Sequence, residues 1–297
     1  MSPQNNTKKG WLMYAIITLV TWGIWGAFSE VEECPSTMVY VIWALSMVPC
    51  MIVALWLGGW KVAHDKKSIF SGAMVGLLGS GGQLLLFAAL KEGPAYIVFP
   101  FISMSPIVTI VMSMIFLKEK ANKTQWLGIV VALVAIFFLS WQDPTDTNIK
   151  GYGWLILATL VFLMWGVQGY FFKFANDSMP SESVFFYQTI WSLVLIPVAL
   201  LMTEGGLEGA MVSSKIFWTV LGIQSLNAIG ALTINYAYRY GKAIIVSPIQ
   251  GLAPVVTIII SLVLYGKVPG PMLAIGLVLA TVAIVALSLE PKPKDEK

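Results

Sequence analysis

This sequence has little charge, almost no cysteine and a single histidine. Only 11% of its 297 residues are charged, whereas 58% are hydrophobic and the mean hydropathy is +0.81. So few charged residues cannot cover a core of this size with polar surface, which excludes a water-soluble globular domain. Two cysteines give no disulfide framework, because Cys34 falls in a predicted loop and Cys50 falls inside an apolar run.

Motifs for metal binding, phosphate binding and catalysis are also missing from the sequence. His64 stands beside Asp65, Lys66 and Lys67 in a polar stretch, where we expect a solvated loop. Because no cluster of ligands, no Gly-rich phosphate loop and no nucleophile with a base at helical spacing occurs, we predict no metal, no cofactor and no enzymatic activity. An intramembrane enzyme is the alternative from a different class. Basic residues form no clustered face, so we expect no nucleic-acid partner.

Long apolar runs are what the sequence has in abundance. Ten of them are long enough to cross a hydrocarbon layer about 30 Å thick. They cover residues 11–28, 38–57, 69–90, 95–117, 124–141, 151–172, 184–202, 216–238, 243–265 and 270–289. The fold class predicted is therefore an all-α integral membrane protein with ten transmembrane helices. A cleaved signal peptide is the alternative for the first run, but no typical small-residue cleavage site follows it.

Basic residues are distributed unequally between the two predicted sides of the membrane. Of the 18 lysines and arginines, only Lys91, Lys150, Lys215 and Lys267 lie on the side opposite the two termini. Because lysine and arginine collect on the cytoplasmic side, we predict that both termini are cytoplasmic in a plasma or inner membrane.

The sequence contains the same pattern twice. Residues 93–113 match residues 241–261 at a shift of 148 positions, including Pro100 with Pro248 and Pro106 with Pro254. The first run matches the sixth at a shift of 143, where Trp22 meets Trp165. The pattern predicts two repeats of five helices each, at residues 1–142 and 143–297.

Five is an odd number, so the second repeat crosses the membrane in the opposite sense to the first. Inverted repeats of this kind can exchange two packings that open a central cavity to each side in turn. We therefore expect transport by alternating access. A duplicated bundle without moving parts, acting as a scaffold or sensor, is the alternative.

Polar and aromatic residues inside the runs are the candidates for a substrate site. Buried amides are costly in lipid, so they are expected to line a cavity, whereas serine and threonine more often bond their own helix. Tryptophans away from the helix ends can stack on a ligand. The candidate substrate-binding residues are Trp22, Trp25, Gln83, Phe87, Ser103, Trp165, Gln168, Asn227, Asn235, Tyr238 and Gln250.

No charged residue lies clearly at the middle of any run, which bears on the substrate and on coupling. A fixed charge would need a buried partner, so we expect a neutral or zwitterionic polar molecule. Glu30, just after the first run, is the candidate for coupling to protons or sodium. The alternative for Glu30 is an ordinary acidic residue of an outer loop.

The motifs together resemble the drug/metabolite transporter superfamily, in its EamA-like branch. Trp22-Gly23-Ile24-Trp25-Gly26, its copy at 165–169, the repeated pair of prolines, and Leu117-Lys118-Glu119 followed by Gln125-Trp126-Leu127-Gly128 carry the resemblance. The second repeat has Gly266-Lys267 where the family often keeps a glutamate. The resemblance implies a cavity lined by helices one, three, four, six, eight and nine, and substrates from amino acids, nucleosides and sugars to drugs.

The sequence therefore predicts a secondary transporter of a small polar, mostly uncharged or zwitterionic metabolite, of the amino acid, nucleoside or sugar class. Efflux of hydrophobic or cationic drugs is the alternative substrate class. We expect a monomer or homodimer in the lipid bilayer. The identity of the substrate, the direction of transport and the coupling ion stay open at this point.

Overall fold

A computed structural model describes residues 10–28, 34–92, 98, 102–139, 153–265 and 270–289, and all regular structure in these ranges is helical. The helices of the first repeat are α1 Gly10–Phe28, α2 Ser36–Leu57, α3 Lys66–Glu92, α4 Pro106–Phe116 and α5 Lys123–Leu139. Those of the second repeat are α6 Gly153–Asn176, α7 Ser181–Val194 with its continuation Ile196–Leu201, α8 Ser214–Tyr240, α9a Ala243–Gln250, α9b Pro254–Tyr265 and α10 Pro271–Ser288. A single helical turn at Gly206–Gly209 precedes α8.

The helix lengths agree with an integral membrane protein. Among the described residues, seven helices are long and apolar enough to cross a membrane, with α9a and α9b together as one of them. The three shorter apolar helices are α4, α5 and α10. Helix ends follow local chemistry: Pro35 and Pro180 precede the first residues of α2 and α7, and the Asp65 carboxylate accepts bonds from the first amides of α3.

The ninth apolar run is not one continuous helix, which differs from the sequence prediction. A three-residue turn at 251–253 separates α9a from α9b, and residues 104–105 form the equivalent turn before α4. Pro106 and Pro254 have no N–H, so each leaves a carbonyl one turn earlier without its usual helical partner. In each turn a local amide bonds that carbonyl: Ser105 N donates to Ile102 O at 3.0 Å, and Ala253 N to Gln250 O at 3.1 Å.

The two repeats interlock, and a pseudo-two-fold relationship connects their contacts. α1 packs against α8 and α9b, while the matching helix α6 packs against α3 and α4. The same hydrogen bond occurs in both places: Thr257 Oγ1 donates to Gly23 O at 2.8 Å, and Thr109 Oγ1 donates to Gly166 O at 2.7 Å. The fold is therefore built from mixed units that draw helices from both repeats.

Two such units can be defined. The first bundle consists of α1, α2, α8 and α9b, and the second bundle consists of α3, α4, α6 and α7. α5 and α10 pair with each other at the periphery, where Gly128 lies against Leu287 and Gly276 against Leu139. We call the end of the array that carries Asp65, Arg239 and Lys242 the basic end, and the other the opposite end.

Candidate functional site

Three tryptophans and two amides form a cluster inside the first bundle. Trp25 Nε1 on α1 donates to Gln224 Oε1 on α8 at 3.0 Å, and Trp43 Nε1 on α2 donates to Asn227 Oδ1 at 2.9 Å. Trp22 Nε1 donates to the backbone oxygen of Asn227 at 3.1 Å. We call these five residues the tryptophan–amide cluster. It joins three of the predicted residues, Trp22, Trp25 and Asn227, in one place on the opposite-end half of α8.

Trp165 and Gln168 occupy the related position in the second bundle, between α6 and α3. Trp165 Nε1 donates to Gly79 O at 3.4 Å, and Gln168 Nε2 donates to Val75 O at 3.0 Å. Glycines on α3 make this possible, because a Cβ on Gly79 or Gly82 would overlap the side chain of Gln168 or Trp165. Both predicted residues thus hold α6 close to α3 through backbone carbonyls.

Asn235, Tyr238 and Gln250 lie together near the basic end. Tyr238 is 1% exposed, donates its hydroxyl to Gln250 Oε1 at 3.2 Å and stacks on Phe172 of α6 with ring centroids 5.3 Å apart. Asn235 Nδ2 donates to Gln188 Oε1 of α7 at 3.2 Å, which links the two bundles. Asn235 is fully buried and its Oδ1 has no hydrogen-bond partner among the described residues.

The remaining predicted residues are less constrained. Gln83 of α3 and Ser103 are partly exposed, and neither has a hydrogen-bond partner in the part of the chain that the structure describes. Phe87 packs against an apolar cluster that contains Trp43, Leu84 and Ala231. Glu30, the candidate for ion coupling, lies outside the described residues.

Charged groups meet at the basic end rather than in the cluster. The Glu119 carboxylate accepts hydrogen bonds from the first amides of α9a, Ala243 N at 3.1 Å and Ile244 N at 2.9 Å. Burial is the largest influence and raises the pKa of Glu119 above its usual value, although these two amide bonds act in the opposite direction. On the neighbouring helices, Arg239 donates to the carbonyls of Asn176 and Met179.

Two residues of the tryptophan–amide cluster were not among the sequence candidates. Gln224 falls on the same face of α8 as Asn227, which was a usable signal. Trp43 recurs as Trp191 at the shift of 148 positions, and Pro49 recurs as Pro197. Trp191 lies against Gly76 of α3, and Gly76 corresponds to Gln224 at the shift of 148 positions. The repeat could therefore have indicated that Trp43 and Trp191 each face a neighbouring helix, α8 and α3 respectively.

The cluster offers hydrogen bonds and aromatic surface without any formal charge. Across the described ranges, no group of three or more His, Cys, Asp or Glu side chains is placed to hold a metal ion. Uncharged polar groups inside a membrane-spanning helix array can bind and release a small polar solute. This chemistry, inside one of two interlocked helix bundles, is typical of a membrane transporter.

The chain belongs to the EamA-like transporter family. Its family model matches residues 9–141 and 152–289, one match for each half. The chain is 26% identical over 246 residues to the uncharacterized transporter YyaM of Bacillus subtilis (strain 168), covering 76% of each protein. It is 24% identical over 274 residues to the uncharacterized transporter YojE of the same organism, covering 87% of this chain and 86% of YojE.

The fold is similar to that of a solved crystal structure. That chain aligns with a TM-score of 0.78 at 16% identity, and the alignment covers 94% of this chain and 97% of the other. At a sequence identity this low, the similarity shows a shared fold and nothing about function. The family match and the transporter-named relatives point to a multi-pass membrane transporter rather than an enzyme.

Proposed function

We propose that this protein is a secondary transporter that moves a small polar, uncharged or zwitterionic metabolite of the amino acid, nucleoside or sugar class by alternating access. The observation that carries the proposal is an asymmetry between the two ends of a pseudo-symmetric array. Towards the opposite end the two bundles are joined by α2 with α7, where Thr37 and Thr203 share a hydrogen bond, and at the basic end they also meet through α6 with α8, α7 with α8, and α4 with α9a. The pair related to α6 and α8 by the repeat is α1 and α3, and it is not packed in this way in the described residues.

The contacts at the basic end are numerous and specific. They include the stacked rings of Phe172 and Tyr238, the bond from Tyr236 to Glu182 at 2.6 Å, and the bond from Lys242 Nζ to Lys120 O at 2.7 Å. Every one of them joins the two bundles or the segments that flank them. Such a set supports a state closed at the basic end, and an exchange of packing would produce the state closed at the opposite end.

The orientation and the repeat boundary belong to the same proposal. The excess of lysine and arginine favours a basic end that faces the cytoplasm, with both termini on that side of a plasma or inner membrane. We propose that the two repeats divide at residues 1–142 and 143–297, and that transport exchanges two packings of these repeats. We also propose that transport is coupled to protons or sodium. Glu30 stays the first candidate for coupling.

The substrate class rests on the uncharged polar and aromatic residues inside the helix array. Gln83, Asn227 and Gln250 offer amide groups, and tryptophans offer ring surface, while the charged side chains Glu119, Arg239 and Lys242 lie at the basic end. A solute with a net charge would leave that charge unpaired here, which is costly in a low-dielectric site. A neutral or zwitterionic solute avoids this cost.

Solute exchange in proteoliposomes tests the proposal. Purified protein is reconstituted with a panel of labelled amino acids, nucleosides and sugars, and uptake is measured with and without proton and sodium gradients. We expect at least one class to be taken up above protein-free liposomes. Gln83→Leu should reduce that uptake at least tenfold with an unchanged melting temperature, whereas Thr281→Val, at an exposed position of α10, should keep it. No uptake of any class would favour the scaffold alternative, whereas full uptake by Gln83→Leu would contradict a role for Gln83 in substrate binding.

A further inference from the structure

The oxygen atoms of two neighbouring amides on α8 are both occupied by tryptophans. Gln224 Oε1 accepts from Trp25 Nε1, and Asn227 Oδ1 accepts from Trp43 Nε1. An indole N–H can only donate, so each amide must turn its oxygen towards the indole and its nitrogen away from it. The tryptophans therefore fix the orientation of both amides.

The amide nitrogens remain available as a result. Within the described residues, neither Gln224 Nε2 nor Asn227 Nδ2 has a hydrogen-bond partner, and neither is a fully enclosed unsatisfied atom. Residues three apart on a helix have Cβ atoms about 5–6 Å apart, so both nitrogens can reach one small group. Trp22, which donates to the backbone oxygen of Asn227, adds no acceptor. The cluster thus presents two NH₂ groups without partners, while each amide oxygen already accepts one indole N–H.

We propose that the side-chain NH₂ groups of Gln224 and Asn227 form a subsite for the carboxylate of a zwitterionic substrate, with Trp25 and Trp43 as positioning residues. The inference rests on the proposed transport function and narrows its substrate class. A carboxylate has two acceptor oxygens and no donor, which matches two NH₂ groups that point away from the indoles. Hydroxyl donors of sugars and nucleosides would have to share amide oxygens that already accept an indole N–H.

The repeat supports a local role for this arrangement. Gly76 and Gly79 occupy the positions on α3 that correspond to Gln224 and Asn227, so the second bundle has no equivalent pair of amides. Trp165 donates instead to the backbone oxygen of Gly79. Among the described residues, the pair of amides therefore occurs in the first bundle and has no counterpart at the related positions of the second, so we expect one substrate carboxylate to bind.

Ligand binding by the purified full-length protein tests the inference. The probes are neutral amino acids, each paired with the primary amine that lacks its carboxylate, together with sugars and nucleosides. Dissociation constants come from calorimetry and are checked by shifts in melting temperature. We expect the amino acid to bind at least tenfold more tightly than its amine, and Asn227→Asp to reduce this ratio at least tenfold by placing a negative acceptor in the subsite.

Two tryptophan variants separate positioning from folding. Trp43→Phe keeps a ring but removes the N–H, so Asn227 can turn its oxygen into the subsite, and we expect the same ratio to fall several-fold. Trp165→Phe removes an indole N–H that bonds a backbone carbonyl in the second bundle, so its ratio should match the unmodified protein. A general loss of stability would affect affinities without changing the ratio between paired probes.

Distinct results overturn the subsite and the transport function. Equal binding of amino acids and amines, an unchanged ratio in Asn227→Asp, or no binding of any carboxylate probe overturns the subsite. Uptake of a sugar or nucleoside that is unaffected by Asn227→Asp also overturns the subsite, but it confirms that the protein is a transporter. Selective carboxylate binding without uptake in proteoliposomes supports the subsite and contradicts transport.

Discussion

At the scale of single residues, Gly23 and Gly166 lie at matching points where the two repeats pack closely against each other. A Cβ on Gly23 would overlap Val256 and lie 2.9 Å from Ala253 O, and a Cβ on Gly166 would overlap Val108 and lie 2.8 Å from Ser105 O. In both places the obstacle includes backbone, which cannot rotate away as a side chain can. The two glycines therefore allow α1 and α6 to contact the turns that precede α9b and α4.

We expect Gly23→Ala to destabilise the protein by about 1–3 kcal/mol, because the added methyl overpacks a rigid helix contact. Gly222→Ala is the matched control: it lies in the interior of α8 with nothing within 4 Å of its Cβ position. Since alanine favours a helix over glycine, this control should gain about 0.5–1 kcal/mol. Thermal unfolding in one detergent measures both changes. A Gly23→Ala protein as stable as the unmodified one would contradict the close packing.

At the scale of elements, the start of α9a depends on a carboxylate from the other repeat. Glu119 follows α4 and bonds two of the four amides that have no partner within a helix of their own. A negative charge at a helix N-terminus is also favourable because of the helix dipole. Lys118, just before it, adopts a left-handed conformation with φ of 54°, and Glu119 N returns to Ser113 O, so the end of α4 directs the carboxylate towards α9a.

Glu119 gives a prediction about pH. Because its pKa is raised in the folded protein, mainly by burial, the folded state holds the carboxyl proton more tightly than the unfolded state. The stability that this provides is present at low pH and is lost as the pH rises from the ordinary glutamate pKa through the raised one. Glu119→Gln keeps an acceptor for the amides but cannot ionise.

The melting temperature of Glu119→Gln minus that of the unmodified protein should therefore increase with pH across that window. Glu208→Gln, at an exposed position before α8, should show no such trend. Melting curves over a series of buffers measure both differences. A constant or decreasing difference for Glu119→Gln would mean that burial does not dominate the titration of this carboxyl.

At the scale of the whole molecule, the two ends of the array differ although the repeats that build them are alike. The basic end joins the two bundles through α8, which packs on both α6 and α7. Ser247 lies beneath this end and is 4% exposed, whereas Gln83 on α3 is partly exposed. Reagents should therefore reach these two positions at different rates.

We predict that a membrane-impermeant maleimide labels Gln83→Cys at least ten times faster than Ser247→Cys, each from its nearer side, in a background with Cys34→Ser and Cys50→Ala. Labelling in right-side-out and inverted vesicles also tests which end faces the cytoplasm. Adding Glu119→Ala should speed the labelling of Ser247→Cys, because it removes a bond between α9a and the segment after α4. Equal rates at the two positions would contradict closure at the basic end.

The sequence was sufficient for the class of protein and for its division into two similar halves, whereas the boundary at residues 142 and 143 stays a prediction. Lipid cannot satisfy backbone hydrogen bonds, so long apolar runs must form helices, and their number and spacing are visible without a structure. Gly23, Gly166, Thr109 and Thr257 stand at matching positions of the two copies, and their contacts match as well. The assignment of substrate-binding roles to Trp22, Gln83 and Gln250 stays a prediction.

Only the tertiary structure decided which side chains meet. Glu119 and Ala243 are 124 positions apart in sequence, and Trp43 and Asn227 are 184 apart, so no local periodicity links either pair. The difference between the two ends also escapes a pattern that reads the same in both repeats. The physical reason is that the need to satisfy backbone hydrogen bonds in lipid determines helices locally. The contacts between side chains, and which end of the array is closed, depend on how helices that are distant in sequence pack together.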